Sequence, residues 1–576
     1  MIHGDSRHPL GAILSPLDPL LKRTRIAYFS MEIAIRPEIH TYAGGLGILA
    51  GDTARSCADL GLPVVFVTLL SRGGYFQQSF ADNGGQVEKP DWWDPATHCT
   101  ALHAMVAVEI AGRTLWIRPW LYLHAPAHGH PTPIILLDTD VEANAESDRT
   151  LTHYLYGGDE EYRLKQEIVL GIGGIRTLRA LGFDPHTYHL NEGHAALLTL
   201  ELLNHWKVPP EERIKDEEPY DIAEVRARCV FTTHTPVEAG HDRFGYELFD
   251  RLLPDLVELD TLKRLAGTDD LNMTRLALNL ADYVNGVARR HAETTRHMFP
   301  GYHIHAVTNG VHVGTWTHPA LAALYDREIP AWRHEPELMI RALQLDEAAL
   351  WAGHQAAKAD LLRLVKDVAG TALDPEAMVI GFARRMTDYK RPLLLFQDIE
   401  RLAALAGRHR FQIVLAGKAH PHDQAGREAI RRLHDVARRL AGPVSCVYLP
   451  GYDMQIAATL VAGVDLWLNT PLPPMEASGT SGMKAAINGV LNLSVLDGWW
   501  IEACIEGVTG WSIGDGDAGA GDAQALYDKL ETTVLPRFYD DPAGWRRMMK
   551  QSIANIGAYF NTHRMMRRYV VEAYLR

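Results

Sequence analysis

The stretches VIGFARR at 379–385, FQIVLAGK at 411–418 and SCVYLPG at 445–451 decide the fold. Each is a short apolar, β-rich run that breaks off in a polar or glycine-containing loop, as a strand buried on both faces of a parallel sheet does. LWLNT (466–470) and LNLSVLD (491–497) continue the series. The same pattern fills the first half, in RIAYFSME (25–32), PVVFVTLL (63–70), TYHLNE (187–192), RCVFTTHT (228–235) and HIHAVTNG (303–310). Helical patterns such as LKQEIVLGIGGIRTLRALG (164–182) lie between the strands. This alternation, run through twice, predicts an α/β protein of two Rossmann-like doubly wound domains facing a cleft. Ligands of such folds collect at the carboxyl ends of the strands.

A strand-free stretch near 318–376, with a helix expected from Asp346 to Val368, separates the two series. The domains are read as 1–325, 326–550 and a C-terminal helix at 551–576 that crosses back to the first domain. HAMVAVEIAGRTLWIRPWLYLH (103–124) alternates around AGR and predicts an antiparallel hairpin inserted in the first domain. A chain of 576 residues exceeds one hydrophobic core, which agrees with two large domains. The net charge of -14 opposes nucleic-acid binding, so an anionic ligand must meet a local basic pocket. Five cysteines (57, 99, 229, 446, 504) form no CxxC pair and read as thiols of a reducing compartment. MIHGDSRHPL lacks the plan of a secretory leader, and no apolar run is long enough to span a bilayer. A cytoplasmic protein without membrane contact is expected.

PMEASGTSGMKAAINGV (474–490) carries the most chemistry. Small residues let backbone N–H groups approach an anion, Ser478, Thr480 and Ser481 add hydroxyls, and Lys484 follows at a helix start, an arrangement suited to a phosphorylated ligand. RRMTDYKR (384–391) follows the strand VIGFA and brings Arg384, Arg385, Lys390 and Arg391 to a strand end. GGLGILAGD (44–52) offers closely spaced glycines. His189, Glu192 and His194 crowd together in HLNEGHAALLTLE but do not form H-E-x-x-H, and no metal is expected there.

In these segments, and in THTPVEAG (233–240), VNGVA (284–288) and TNGV (308–311), the chain resembles the α-glucan (glycogen, starch or maltodextrin) phosphorylases, in family order and over most of residues 25–500. The resemblance implies the GT-B glycosyltransferase architecture and pyridoxal 5'-phosphate tethered on Lys484, with Thr480, Ser481, Gly482, Tyr452 and Lys390 around it. It implies that Arg385 and Lys390 hold the substrate phosphate beside Gly45. His234, Asn285, Glu476, Ser478 and Gly479 then line the glucosyl subsite, with Asn191 and His194 as wall residues. The implied reaction joins an α-1,4-glucan or maltodextrin and inorganic phosphate to give glucose 1-phosphate with retained configuration. Inorganic phosphate acts as acid and then acceptor, and Lys484 serves as an anchor.

Asp453 stands where the long phosphorylases carry a basic residue, and Ser481-Gly482 replaces a glycine-led pair. The chain is shorter than those enzymes, so nucleotide or phosphorylation control of their type is not expected, and the homodimer common in the family is left open. Two other classes share the architecture: a nucleotide-sugar-dependent glucosyltransferase of the glycogen synthase type and a catalytically silent glucan-binding protein. SGTSGMK argues against the first, and the joint presence of Arg385, Lys390, Glu476 and Lys484 against the second.

Overall fold

In the computed structural model the second series of strands forms one six-stranded parallel sheet. Its spatial order is Ser445–Leu449, Phe411–Ala416, Met378–Ala383, Leu466–Asn469, Leu491–Val495, Gly510–Ile513. In chain order this is the 3-2-1-4-5-6 arrangement of a doubly wound sheet. The first series repeats it with Thr132–Asp138, Val64–Leu69, Ile26–Ser30, Thr187–Asn191, Cys229–Thr232 and Tyr283–Gly286, then adds His305–Ala306. Three strands, TPIILLD, YVNG and GWSI, go beyond those read from the sequence. The structure describes residues 17–575 apart from 214–217, 238–239, 255, 517–518 and 520. The decapeptide MIHGDSRHPL, positions 238–239 of THTPVEAG, part of the 515–523 loop and Arg576 lie outside the described residues.

Both sheets reverse direction at the first strand. The switch points lie between Ile26–Ser30 and Thr187–Asn191, and between Met378–Ala383 and Leu466–Asn469. Crossovers leave on opposite faces there, and the loops splay apart into a crevice. Glu32 and Glu192 emerge at the first crevice, Arg384 and the 470–480 loop at the second.

The expected hairpin is present. Val106–Ile110 pairs antiparallel with Arg113–His124, and Ala111 and Gly112 at the tip have φ of 52° and 69°. Left-handed conformation at both central residues is the type I′ geometry that matches strand twist. The second arm continues into an antiparallel pairing with Thr132–Asp138 on the edge of the first sheet. The tail is helical as read. Helix Thr562–Tyr569 and the turn after it lie on the first sheet, where Asn285 Nδ2 donates to the Tyr569 hydroxyl (2.9 Å) and the Tyr574 hydroxyl meets His189 Nδ1 (2.6 Å). All five cysteines are free. No helix among the described residues is long and apolar enough to cross a membrane.

Helix Glu347–Ala369 joins the two series. Asp346 caps it by accepting from Ala349 N (2.8 Å), and Gly370, at φ 67°, ends it. From its buried face His354 Nε2 (2.9 Å) and Lys358 Nζ (2.8 Å) reach Asp465, which also accepts from Val379 N (2.8 Å). Burial alone would raise the Asp465 carboxyl, but the Lys358 ammonium and His354 hold it below the usual range. Removing one member of such a buried pair strands the other charge and costs about 3–5 kcal/mol. Asp465→Ala is therefore expected to lower stability by about that amount in chemical denaturation followed by tryptophan fluorescence, and a loss under about 1 kcal/mol would contradict the assignment.

Candidate active site

The loop that leaves strand Leu466–Asn469 turns Glu476 back toward the end of strand Met378–Ala383. Lys390 Nζ donates to both carboxylate oxygens of Glu476, at 2.7 Å and 2.6 Å, and Arg384 Nη2 donates to Oε2. Burial opposes ionisation, yet Arg384 and Lys390 hold the Glu476 carboxyl down at about 2. Asp497, at the end of Leu491–Val495, accepts from Glu476 N and Gly498 N, both at 2.8 Å. Burial pushes its carboxyl up to about 6 against those two amides, and the charge of Glu476 adds to the rise. Arg384, Asn469, Glu476, Ser478, Gly479, Ser481 and Asp497 line one small polar cavity. Arg384 Nη1 and Asn469 Oδ1 are buried there without a partner. Buried polar atoms are rarely left unpaired, so this cavity is suited to a polar or anionic group.

Helix Ser481–Ala486, which begins at the cavity with Ser481, carries Lys484. Gly479 takes φ 78°, and Gly482 packs so closely that a Cβ would lie 2.4 Å from Asn492 Oδ1. Thr480 is the residue before the helix and its carbonyl accepts from Lys484 N (3.1 Å), while Ser481 Oγ accepts from Trp467 Nε1 (3.1 Å). The Lys484 ammonium lies 4.0 Å above the centre of the Trp316 ring and makes no hydrogen bond among the described residues. Burial lowers its pKa to about 8; Asp52 opposes the shift and Arg55 adds to it. Asp52 belongs to helix Gly45–Asp59 of the first half and is itself held by Trp316 Nε1 (2.7 Å) and Arg55 Nη1 (3.2 Å). Lys484 thus lies where the two halves meet.

Across the crevice, Glu32 accepts from Ala43 N (2.6 Å), Gly44 N (3.1 Å) and the Tyr156 hydroxyl (2.8 Å). A Cβ added at Gly44 or Gly45 would meet no atom within 4 Å, so the glycine turn borders open space. The first-turn amides of its helix have no carbonyl to reach within the helix. Arg385 is exposed, makes no hydrogen bond or ion pair among the described residues, and acts electrostatically on Tyr156 and Tyr75. Tyr156, which feels this charge, is bonded to the Glu32 that holds the glycine turn.

His234 follows strand Cys229–Thr232. Its N–H donates to Glu192 Oε2 (2.7 Å), and its Nε2 lies 2.7 Å from Asn191 Oδ1. Because Asn191 Nδ2 donates to Ser30 Oγ, Oδ1 faces the histidine, the proton resides on Nε2, and Nδ1 is left as an acceptor. Burial, with His291, His189 and His194 nearby, lowers the His234 pKa to about 3, so the ring is neutral. Glu192 holds φ 76°, a costly backbone for a non-glycine residue, and accepts from Gly193 N and Thr235 Oγ1 as well.

The structure therefore gathers Glu476, Ser478, Gly479, Ser481 and Lys390 at one crevice, and His234 with Asn191 at the other. Thr480, Gly482 and Lys484 neighbour Ser481 in the chain but do not line the polar cavity. Asn285 departs from its expected role. It is wholly buried, accepts from Thr232 Oγ1 (2.8 Å) and donates to Tyr569 and to Gly286 O, so its side chain belongs to the C-terminal helix rather than to a sugar. Lys390 is buried and given to Glu476, whereas Arg384, placed at the strand end by the sequence but given no role there, borders the cavity. Tyr452 is partly buried and feels the charge of Arg384. Asp453 caps helix Met454–Gly463 through Ile456 N (2.8 Å), a structural use for the carboxylate that stands in place of a base. His189 is bonded to Thr232 and Tyr574, and His194 pairs with Asp242 at 3.4 Å. Trp499 and Trp500 are core residues, while Trp92 is 53% exposed. Asp52, Trp316, Glu32, Tyr156 and Asp497 were not singled out from the sequence, because only the fold brings them to Lys484 and Glu476.

A family model described as carbohydrate phosphorylase matches residues 260–509. The chain is 38% identical to the maltodextrin phosphorylase of Thermococcus litoralis, over 95% of this chain and 70% of that protein. It is 37% identical to the glycogen phosphorylase of Mycobacterium tuberculosis, over 96% of this chain and 71% of that protein. An uncharacterised Methanocaldococcus jannaschii protein is 31% identical and matches over 95% of this chain and 99% of its own length. Two doubly wound sheets, with a family model over residues 260–509 and identity to phosphorylases sustained over nearly the whole chain, lead to one conclusion: this chain belongs to the carbohydrate phosphorylase family.

Proposed function

We propose that the protein cleaves the terminal α-1,4 linkage of a glucan such as glycogen or maltodextrin with inorganic phosphate, releasing α-glucose 1-phosphate, and that Lys484 carries pyridoxal phosphate. The observation that carries this reading is the pairing of the low-pKa, hydrogen-bond-free Lys484 amine with a cavity in which Arg384 Nη1 is buried and unpaired. A Lys amine whose pKa falls to about 8 is neutral far more often at pH 7 than a free one, which suits covalent attachment to an aldehyde. The unpaired Arg384 Nη1 and the hydroxyls of Ser478 and Ser481 in this cavity offer donors to the cofactor's phosphate. When bound, pyridoxal phosphate supplies a second phosphate that shares a proton with the substrate phosphate.

The protein's own groups account for the remaining steps. Arg385 and the amides at Gly45 hold inorganic phosphate from opposite sides of the crevice. Two like unit charges 4 Å apart repel by about 4 kcal/mol at an effective dielectric of about 20, so paired phosphates need cations between them. Arg384, Arg385 and Lys390 provide these, and Glu476 keeps Lys390 and Arg384 aimed inward. A carboxylate has about four acceptor positions and Glu476 uses three, which leaves one for a sugar hydroxyl. His234 offers a neutral ring to the sugar, and Asn191 and Glu192 fix its position. The substrate phosphate gives its proton to the glycosidic oxygen, the C1–O bond breaks, and a phosphate oxygen bonds to C1 on the same face.

Purified protein given maltodextrin and phosphate is expected to release glucose 1-phosphate, and Arg385→Ala to raise the KM for phosphate by about 10–100-fold with cofactor content unchanged. Transfer from ADP-glucose without phosphate, or glucan binding with no phosphate-dependent release, would overturn the proposal. The rate at which the cofactor-free protein takes up pyridoxal phosphate is expected to rise about tenfold per pH unit below pH 7 and to level off above about 8, following the Lys484 amine. A rise continuing toward the ordinary lysine range would contradict the role given to burial.

A further inference from the structure

We propose that Asp59, His312 and His563 form a binding site for a divalent transition-metal ion, best matched by Zn2+, that clasps the C-terminal tail to the first half of the protein. One ligand atom from each residue falls within 4.8 Å of the other two. Asp59 Oδ2 lies 2.8 Å from His312 Nε2 and 3.6 Å from His563 Nε2. Ligands about 2.0–2.1 Å from a tetrahedral ion stand about 3.4 Å apart, so these two distances bracket the requirement and the widest gap closes by under about 1.5 Å shared between two side chains. Two imidazoles and one carboxylate are a nitrogen–oxygen set that suits Zn2+ rather than Ca2+ or Mg2+, which prefer oxygen.

An independent observation points to a ligand here. The His563 side chain is wholly buried, and its Nε2, turned toward Asp59, has no hydrogen-bond partner. Each ring is also held on its far nitrogen by a hydroxyl: Thr315 Oγ1 lies 2.7 Å from His312 Nδ1, and Ser56 Oγ lies 3.3 Å from His563 Nδ1. Such outer contacts orient metal-ligating histidines. The Asp59 and His312 side chains keep 19% and 12% exposure, so an ion can enter and a water can take the fourth position. Binding would release the proton shared between His312 Nε2 and Asp59 Oδ2.

Three distant segments meet at this point: the last residue of helix Gly45–Asp59, the turn before helix Val313–Trp316, and the start of helix Thr562–Tyr569. The His312 N–H also donates to Asp52 (3.2 Å), the acid beside Lys484. The clasp would thus brace the wall behind Lys484 without entering the crevice, and it stands whether or not the proposed reaction is correct.

Tag-free, chelator-treated protein should be equilibrated with micromolar free Zn2+ in phosphate-free buffer and its metal content measured by mass spectrometry. One equivalent is expected in the wild type, with affinity at least about 100-fold weaker in Asp59→Asn and His563→Gln. Zinc should raise the thermal midpoint of the wild type and leave both variants unmoved. Absence of stoichiometric zinc in the wild type, or equal zinc in the variants, would overturn the proposal. The wild-type titration decides the matter even if a variant folds poorly.

Discussion

The site depends on one buried carboxylate. Glu476 holds Lys390 through both oxygens and Arg384 through one, and Asp497 in turn holds the Glu476 backbone. Without Glu476 two cations at adjacent strand ends would repel each other in a poorly solvated crevice and turn outward to water. With it they are fixed. This explains how two cations stay aimed into one crevice rather than out to water. It also explains why Arg384 can keep one nitrogen buried and unpaired, at a cost that an arriving anion would offset.

The fold puts this cluster opposite its counterpart. Both sheets follow the same strand order, and both direct their acidic and basic groups out of the topological switch point. Arg385 and Lys484 lie on the second half but take their neighbours from the first: Tyr156 for Arg385, Asp52 and Trp316 for Lys484. The surroundings of both residues are therefore complete only when both halves are in place. The C-terminal helix returning to Asn285, His189 and Ser56 is one of the contacts that holds them.

Much of the architecture was legible in local pattern. Helix Glu347–Ala369 was read from Asp346 to Val368, within one residue at each end, and the hairpin through its alternation around Ala111–Gly112–Arg113. Strand Tyr283–Gly286 escaped because it is four residues long and ends in an Asn-Gly pair that reads as a turn. Gly510–Ile513 escaped because it is equally short and begins with glycine. TPIILLD contains a proline, and a continuous apolar run has no period to separate a strand from a buried helix. The site was legible as segments rather than as contacts. Motifs marked Lys484, Glu476, Arg385 and His234, but no spacing within the chain tells that Lys390 closes on Glu476, that Asn285 turns to Tyr569, or that Asp52 lies beside Lys484. These are consequences of parallel crossovers that bring residues hundreds of positions apart to one crevice.

Lys484 is the point at which the account is most exposed. Reduction of the native protein with borohydride, followed by peptide mapping, would show which lysine carries a pyridoxal group. The account predicts a single phosphopyridoxyl label on the peptide containing Lys484, with the lowered pKa of that buried amine and its lack of a hydrogen bond among the described residues as the physical reasons. Label on another lysine, or none on protein that releases glucose 1-phosphate from maltodextrin, would contradict it.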